Sequence, residues 1–277
     1  MYDGALRLPL PGRTELVGFA DDIAVFDKEL ARAEELCDRS ISRINSWLSS
    51  VARASMLSVA PVWGQALATP AYTRGLCSAH RLAALRISSA FRAVSDQAAL
   101  VLAGTPPLDL LAAERASIHG QTIGRTLTPR DKQVLRLAAK DATLAASKGR
   151  WTYRMIPQLD CWLKRKHGQI NFHLTQILSG HGCFRSYLRR LGHEEDDSCT
   201  HCQEQLEESA EHTVFNCARF AGERASLEAW LGNTISAENL VPLMLLSEAN
   251  WQAVSDFTAK AMTELLAEER RRNQEAT

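Results

Sequence analysis

The stretch CTHCQEQLEESAEHTVFNC, residues 199–217, contains four residues of the kinds that bind zinc. Cys199 and Cys202 are separated by two residues, His212 follows after nine more, and Cys217 follows after a further four. A C-x2-C pair can place two thiolates on one cation from a single turn, and H-x4-C brings two more ligands from one short bend. The spacing therefore predicts a small module stabilised by a tetrahedral Zn²⁺ site. Since protein side chains fill all four positions, we expect the ion to be structural, not catalytic.

Two alternatives remain for this stretch at the level of sequence. His201 lies between the two cysteines and is a possible substitute ligand, although its place inside the chelate loop directs its ring poorly. An ordinary turn with buried thiols would also account for the cysteines. The chain has seven cysteines, an odd number, and the other four are scattered singly, which is not typical of a secreted disulfide framework.

The charges around the cysteine–histidine stretch are divided sharply, although the whole chain has no net charge. Residues 148–193 contain nine Lys or Arg and one acid, whereas residues 194–211 contain eight acids and no Lys or Arg. Aromatic residues are interleaved with the basic ones, a mixture that can neutralise phosphates and stack unpaired bases. These aromatic residues are Trp151, Tyr153, Trp162, Phe172, Phe184 and Tyr187.

The candidate contacts to nucleic acid in the basic segment are Lys164, Arg165, Lys166, Arg185, Arg189 and Arg190. A solvated helix face whose aromatic residues belong to the core is an equally good interpretation of the same composition.

Apolar residues recur at spacings of three and four over most of the chain, which predicts helices. One helix is expected over 28–48, and another near the C-terminus carries Trp251, Val254, Phe257, Ala261 and Leu265 on one face. The predicted fold class is mainly α with a small β-hairpin and a small zinc-stabilised module, α+β overall. No long apolar run and no signal-peptide pattern occurs, so we expect an intracellular protein without a membrane partner.

The stretch TELVGFADDIAVF, residues 14–26, predicts two strands joined by a tight turn at Asp21 and Asp22. Adjacent carboxylates repel each other unless they are solvated, protonated or bound to a cation. The pair therefore indicates either a surface turn or a metal site.

The sequence GFADDIAVF, residues 18–26, resembles the catalytic Ala-Asp-Asp hairpin of reverse transcriptases, with Phe19 in the aromatic position. The segment HLTQILSGHGCFRSYLRRLGH, residues 173–193, leads into the cysteine–histidine stretch and is similar to the C-terminal half of non-LTR (LINE-type) retrotransposon polyproteins. The resemblance implies an RNA-directed DNA polymerase that copies element RNA and primes on nicked target DNA.

By this resemblance, Asp21 would be the main catalytic Mg²⁺ ligand and Asp22 a secondary one, in two-magnesium nucleotidyl transfer. The implied partners are RNA template, target DNA and dNTP, with no other small-molecule cofactor, and the implied compartment is the nucleus. The resemblance divides the chain into a palm remnant (1–50), thumb-like helices (51–147), the basic segment with the zinc module (148–235), and C-terminal helices (236–277).

The chain departs from the family pattern around the hairpin. In the family another essential aspartate and a nucleotide-contact segment precede the hairpin, whereas here twenty residues precede Asp21. A lysine-containing palm motif and a primer-grip hairpin are also not recognisable after residue 48. We therefore expect a shortened fragment that does not polymerise by itself. A nucleic-acid-binding zinc module without catalysis, and a helical protein with one structural zinc and no present role, are the alternatives.

Overall fold

The computed structural model describes residues 15–19, 22–26, 54–122, 148–202 and 205–275, together with Pro9 and isolated positions between 40 and 51. Helices predominate in the described residues. The chain divides into two compact units: residues 1–89 with 99–147, and residues 90–98 with 148–277.

Two strands lie near the start of the first unit. Strand β1 (Glu15–Phe19) pairs antiparallel with β2 (Asp22–Phe26), and Phe19 lies opposite Asp22. Asp21, the predicted main magnesium ligand, lies between the strands and outside the described residues. The predicted helix over 28–48 also lies outside them, except for a few helical positions such as Ile44 and Trp47.

The helices of the first unit pack around a small apolar core. In the described residues they are α1 (Ala60–Trp63), α2 (Pro70–Ile87) and α4 (Leu108–Thr122), and the residues of α3 (Asp96–Leu102) belong partly to each unit. Leu57 and Ala60 are buried against Leu108 and Ala112, which joins α1 to α4. Gly64 follows α1 directly, and a Cβ there would lie 2.9 Å from the Cβ of Ala116, so glycine permits this close approach.

The second unit is built around one long helix. Its helices are α5 (Arg150–Met155), α6 (Leu159–Lys164), α7 (Phe172–Ser179), α8 (Arg185–Arg190), α9 (Ala221–Leu231), α10 (Leu240–Met244) and α11 (Glu248–Glu275). Helices α7, α9 and α10 all contact α11. The predicted apolar face of this C-terminal helix is confirmed, because Trp251, Val254, Phe257, Ala261 and Leu265 are all buried.

Two tryptophans join α6 to α11. The rings of Trp162 and Trp251 stack with centroids 5.8 Å apart and planes 29° from parallel. Gly168 has a positive φ of 79°, and a Cβ at this position would lie 2.0 Å from Cδ2 of Trp251. Any larger residue there would displace the indole, so glycine is required for the stacking.

The sequence-based boundary at residue 235 separates helices that lie in one compact unit of the structure, since α10 and α11 belong with residues 148–235. The assignment of the four segments to palm, thumb, zinc module and C-terminal helices stays a prediction. In the part of the chain that the structure describes, no helix is both long enough and apolar enough to cross a membrane.

Candidate metal centre

The four predicted zinc ligands lie together in the second unit. The sulfur atoms of Cys199, Cys202 and Cys217 and a ring nitrogen of His212 all lie within 4.8 Å of one another. Sγ of Cys199 is 3.7 Å from Sγ of Cys217, and Sγ of Cys202 is 4.0 Å from Sγ of Cys217 and 3.4 Å from Nε2 of His212. These sulfurs are too far apart for a disulfide, whose S–S bond is about 2.05 Å.

The spacing of these atoms fits a tetrahedral zinc ion. With Zn–S bonds of about 2.3 Å and a Zn–N bond of about 2.0 Å, the edges of the tetrahedron are about 3.8 Å between sulfurs and about 3.6 Å between sulfur and nitrogen. The three distances depart from these edges by only a few tenths of an ångström. The arrangement can hold a metal ion with four protein ligands, which leaves no open position for water or substrate.

Backbone hydrogen bonds hold the two ligand-bearing segments. The first is a short antiparallel turn, in which the amide of Cys199 donates to the Leu206 carbonyl and the amide of Glu208 donates to the Asp197 carbonyl, both at 2.7 Å. The second is a single wide turn over His212–Asn216, closed by a bond of 2.7 Å from the Cys217 amide to the His212 carbonyl. This wide turn brings His212 and Cys217 to the same side, which the H-x4-C spacing predicts.

Burial shifts the protonation equilibria of the ligands. It raises the pKa of Cys199, and it raises the pKa of Cys217 to about 12, with the neighbouring Cys199 adding to the effect. Burial also lowers the pKa of His212, and the charge of Arg224 lowers it further. The thiols of Cys199 and Cys217 therefore hold their protons unless a cation replaces them, while the imidazole of His212 favours the neutral form that binds metals.

The structure favours His212 over His201 as the fourth ligand. His201 is exposed to solvent, and its Nδ1 lies 3.1 Å from Oγ1 of Thr200 instead of facing the sulfurs. The four residues that approach one another are those of the C-x2-C and H-x4-C pairs.

A carboxylate and two arginines surround the cluster, and no pattern in the sequence indicated them directly. Glu268 of α11 accepts a hydrogen bond from Thr200 and another from Arg219, and it is buried. Arg224 donates to the Cys217 carbonyl at 3.0 Å and to the Val214 carbonyl at 3.4 Å. One available signal was the i, i+4 spacing of Glu264, Glu268 and Arg272, which places three charged residues on one face of α11.

The acidic segment after residue 193 is the partner of the basic segment before it. Arg185 is buried and lies 3.5 Å from Glu194 and 3.6 Å from Asp196. Arg189 contacts Asp197 at 2.6 Å, and Arg154 contacts Glu211 at 2.8 Å. The charge division in the sequence is thus explained in part by ion pairs inside the second unit, which engage Arg154, Arg185 and Arg189. The burial of Arg185 beside Glu194 and Asp196 favours a structural role for this side chain over the predicted contact with nucleic acid.

Arg165 is also engaged with the protein. Its guanidinium lies 4.0 Å from the ring of Trp162 and 5.5 Å from that of Trp251, and it donates to the Trp162 carbonyl at 2.7 Å. Burial lowers its pKa to about 10, so the guanidinium is still a cation at neutral pH. By contrast, Lys164, Lys166 and Arg190 are exposed.

The aromatic residues of the basic segment pack inside the unit. Trp162 and Phe184 are fully buried and Tyr187 is nearly so, while Trp151 donates its indole N–H to the Ile177 carbonyl at 2.7 Å. Phe172 packs against Phe91 at 5.7 Å. Trp162, Phe184 and Tyr187 thus belong to the core, while Trp151, Tyr153 and Phe172 are half-buried, and the choice between the two interpretations of the basic segment stays open.

The second predicted site, the aspartate pair, is described only in part. Asp22 is the first residue of β2, and Asp21 lies outside the described residues. The structure thus gives no geometry for a magnesium site at this turn.

Comparison with known proteins gives one informative similarity. No protein-family model matches the chain, and no solved structure matches it. The chain is 26% identical to the 115 kDa protein in type-1 retrotransposable element R1DM of Drosophila melanogaster, over 60% of this chain and 18% of that protein. It therefore spans less than a fifth of the length of this relative. The similarity supports a retrotransposon origin.

Proposed function

We propose that this chain is part of the reverse transcriptase of a non-LTR retrotransposon, and that residues 185–220 form a structural zinc module within it. The observation that supports the proposal best is the near-tetrahedral spacing of Cys199, Cys202, His212 and Cys217. The similarity to a protein of a type-1 retrotransposable element supports the same origin. Zinc supplies a cross-link between the two ligand-bearing segments, which contain few regular hydrogen bonds of their own.

Metal content of the purified chain tests the zinc module. We expect one zinc per chain by elemental analysis, retained on dialysis, and loss of near-ultraviolet circular dichroism when a strong chelator removes it. A chain that contains no metal after purification in zinc, and whose spectrum does not respond to the chelator, would contradict the proposal.

The polymerase part of the proposal depends on the resemblance of residues 18–26 to the catalytic hairpin. Asp21 and Asp22 would hold magnesium, which would activate the primer hydroxyl and stabilise the leaving pyrophosphate. Two carboxylates from one turn supply only part of the oxygen ligands that two Mg²⁺ ions need. We therefore propose that the 277 residues by themselves do not polymerise.

A nucleotide-incorporation assay tests this point. The chain is incubated with Mg²⁺, labelled dNTP and a primed RNA template, beside Asp21→Asn. We expect no incorporation by either protein. Incorporation by the unsubstituted chain that Asp21→Asn abolishes would show that the hairpin is a working site.

A nucleic-acid-binding module without catalysis is the second candidate. Lys164 and Lys166 are exposed and, among the described residues, take part in none of the ion pairs, in contrast to Arg185 and Arg189. Such lysines can contact phosphates of element RNA or target DNA, which the chain would meet in the nucleus. Since three of the six aromatic residues are buried in the core and the others are half-buried, this binding would be mainly electrostatic and nearly independent of sequence.

Salt dependence tests this candidate. For single-stranded RNA we expect the double variant Lys164→Ala, Lys166→Ala to weaken binding and to lower the slope of log K against log salt by about 1.4. The matched control is Arg270→Ala with Arg271→Ala, two exposed cations on α11. Equal losses in both double variants would indicate only a general effect of net charge.

A further inference from the structure

Glu268 connects both metal-binding segments to the C-terminal helix. One of its carboxylate oxygens, Oε1, accepts a hydrogen bond of 3.0 Å from Oγ1 of Thr200, which lies between Cys199 and Cys202. The other oxygen, Oε2, accepts from Nη1 of Arg219, two residues after Cys217. A single side chain thus holds the two segments that supply the four ligands.

The carboxylate is fixed in place by its surroundings. Glu268 is 6% exposed, and Arg272, one turn further along α11, contacts Oε1 at 3.3 Å. Arg219 also reaches Glu264 at 3.3 Å, and Arg272 reaches Glu194 at 2.9 Å. A buried carboxylate with two arginine partners and a hydroxyl donor has one favourable position, so it transmits the position of α11 to its partners.

The metal alone does not determine where the two segments lie. In the described residues 205–211, which connect the two segments, there is no strand or helix longer than a turn. One isolated β-bridge joins Glu207 to Ser198, just before Cys199. Four ligands on such segments must be brought together at a cost in conformational entropy, which a preformed support reduces.

We propose that Glu268 is a positioning residue of the zinc site, and that metal binding and docking of residues 264–275 of α11 are coupled through it. The inference rests on the proposed zinc module and adds the residue that orients it. Because coupling between two sites is reciprocal, loss of the metal loosens the end of α11, and loss of the Glu268 contacts weakens metal binding. Outer partners of metal ligands elsewhere contribute about 10- to 100-fold to affinity.

Metal affinity of the full chain provides the first measurement. Zn²⁺ affinity is measured by competition with a chromophoric chelator, and Co²⁺ is used to record the thiolate-to-metal absorption bands. We expect Glu268→Gln and Thr200→Val each to bind Zn²⁺ about tenfold or more weakly and to shift the Co²⁺ bands. The matched control is Glu269→Gln, the same change one residue along at a half-buried position, which makes no hydrogen bond or ion pair within the described residues.

Hydrogen exchange provides the second measurement. Amides of residues 264–275 should be protected in the zinc-loaded chain and should lose protection after chelation, while those of residues 250–258 on the same helix change less. In zinc-loaded Glu268→Gln the protection at 264–275 should already be lowered.

The outcomes separate this inference from the proposal beneath it. If the wild-type chain binds one zinc but Glu268→Gln and Thr200→Val bind it as tightly as Glu269→Gln, the coupling is overturned and the zinc module stands. If the wild-type chain binds no zinc, the zinc module itself fails and the coupling fails with it. If Glu268→Gln does not fold, Thr200→Val decides. This variant removes one hydrogen bond to Glu268 but keeps the ion pairs of Glu268 with Arg219 and Arg272, so no buried charge loses its partner.

Discussion

The cysteine–histidine cluster and the aspartate pair are both short patterns that we propose to bind metal, yet they differ in how complete they are. The four candidate ligands of the cluster lie within nineteen consecutive residues, and their donor atoms come within 4.8 Å of one another, so that they can hold a metal ion without further protein ligands. Asp21 and Asp22 are two adjacent carboxylates in the sequence, and a magnesium site built on them would need further ligands from other parts of a fold. A local pattern predicts a site well when it contains the whole coordination shell, and poorly when it contains a fraction of one.

The largest expected effect comes from removing a ligand of the complete site. Cys217→Ser should abolish stoichiometric zinc binding and the cooperative thermal unfolding of the second unit, since structural zinc contributes about 10–16 kcal/mol to folding in small zinc-binding peptides. Elemental analysis and circular dichroism melting measure the two effects. Cys161→Ser is the matched control, because Cys161 is an exposed free thiol outside the cluster. If Cys217→Ser and Cys161→Ser unfold at the same temperature, the four-residue cluster does not stabilise the second unit, and the contrast with the aspartate pair no longer holds.

A smaller effect is expected from the ion pairs that support the cluster. Arg185→Met removes the buried cation beside Glu194 and Asp196, although Glu194 keeps its contact with Arg272, and should lower the free energy of unfolding by about 2 kcal/mol. Urea unfolding of the zinc-loaded chain measures it. Lys164→Met removes an exposed cation and should change stability by no more than about 0.5 kcal/mol. A variant of Arg185 as stable as that of Lys164 would show that the basic segment is not needed to support the zinc module.

A pH-dependent effect is expected at Glu208, which lies between Arg185 and the cluster. Burial is the main cause that raises the pKa of Glu208 to about 6, above its ordinary value of 4.5. The folded state therefore holds this proton more tightly than the unfolded state does. The resulting stabilisation is full below the unfolded value and is lost as the pH rises through the folded value.

Glu208→Gln lacks this titration and keeps an oxygen that can accept from the Arg185 amide. Its stability relative to wild type should therefore rise by about 2 kcal/mol between about pH 4.5 and about pH 7. Urea unfolding at the two pH values, in excess zinc, measures the difference. Glu207→Gln is the control, since Glu207 is exposed and adjacent. A relative stability of Glu208→Gln that does not change with pH would contradict the expectation.

The smallest effect is expected at the incomplete site. Asp21→Asn should change neither zinc content nor the melting of the second unit, and the wild-type chain should bind Mg²⁺ only weakly, with a Kd of about 1 mM or above. Titration calorimetry measures the affinity. Micromolar Mg²⁺ binding that Asp21→Asn abolishes would show that the chain completes the shell with other ligands, and the comparison would no longer hold.

Sequence reasoning succeeded where the deciding interactions are local or periodic. The spacing of Cys199, Cys202, His212 and Cys217 predicted the cluster, and the period of Trp251, Val254 and Phe257 predicted the buried face of α11. It was less successful with the basic segment, because a count of charges does not tell which acids will pair with them. Arg185, Arg165 and Lys164 count equally in the composition of the basic segment, yet their environments differ. Arg185 is buried in ion pairs, Arg165 packs on two indole rings, and Lys164 is exposed to solvent.

The sequence by itself indicated the ligand set, since nineteen residues contain all four donors at spacings typical of a zinc site, while the choice of His212 over His201 came from the structure. Only the tertiary structure decided what supports that set. Thr200 and Glu268 are 68 residues apart, and they meet because the apolar face of α11 packs into the unit and turns its charged stripe toward the ligand-bearing segments. Hydrophobic packing places the helix, and the buried carboxylate then finds the donors that its burial requires.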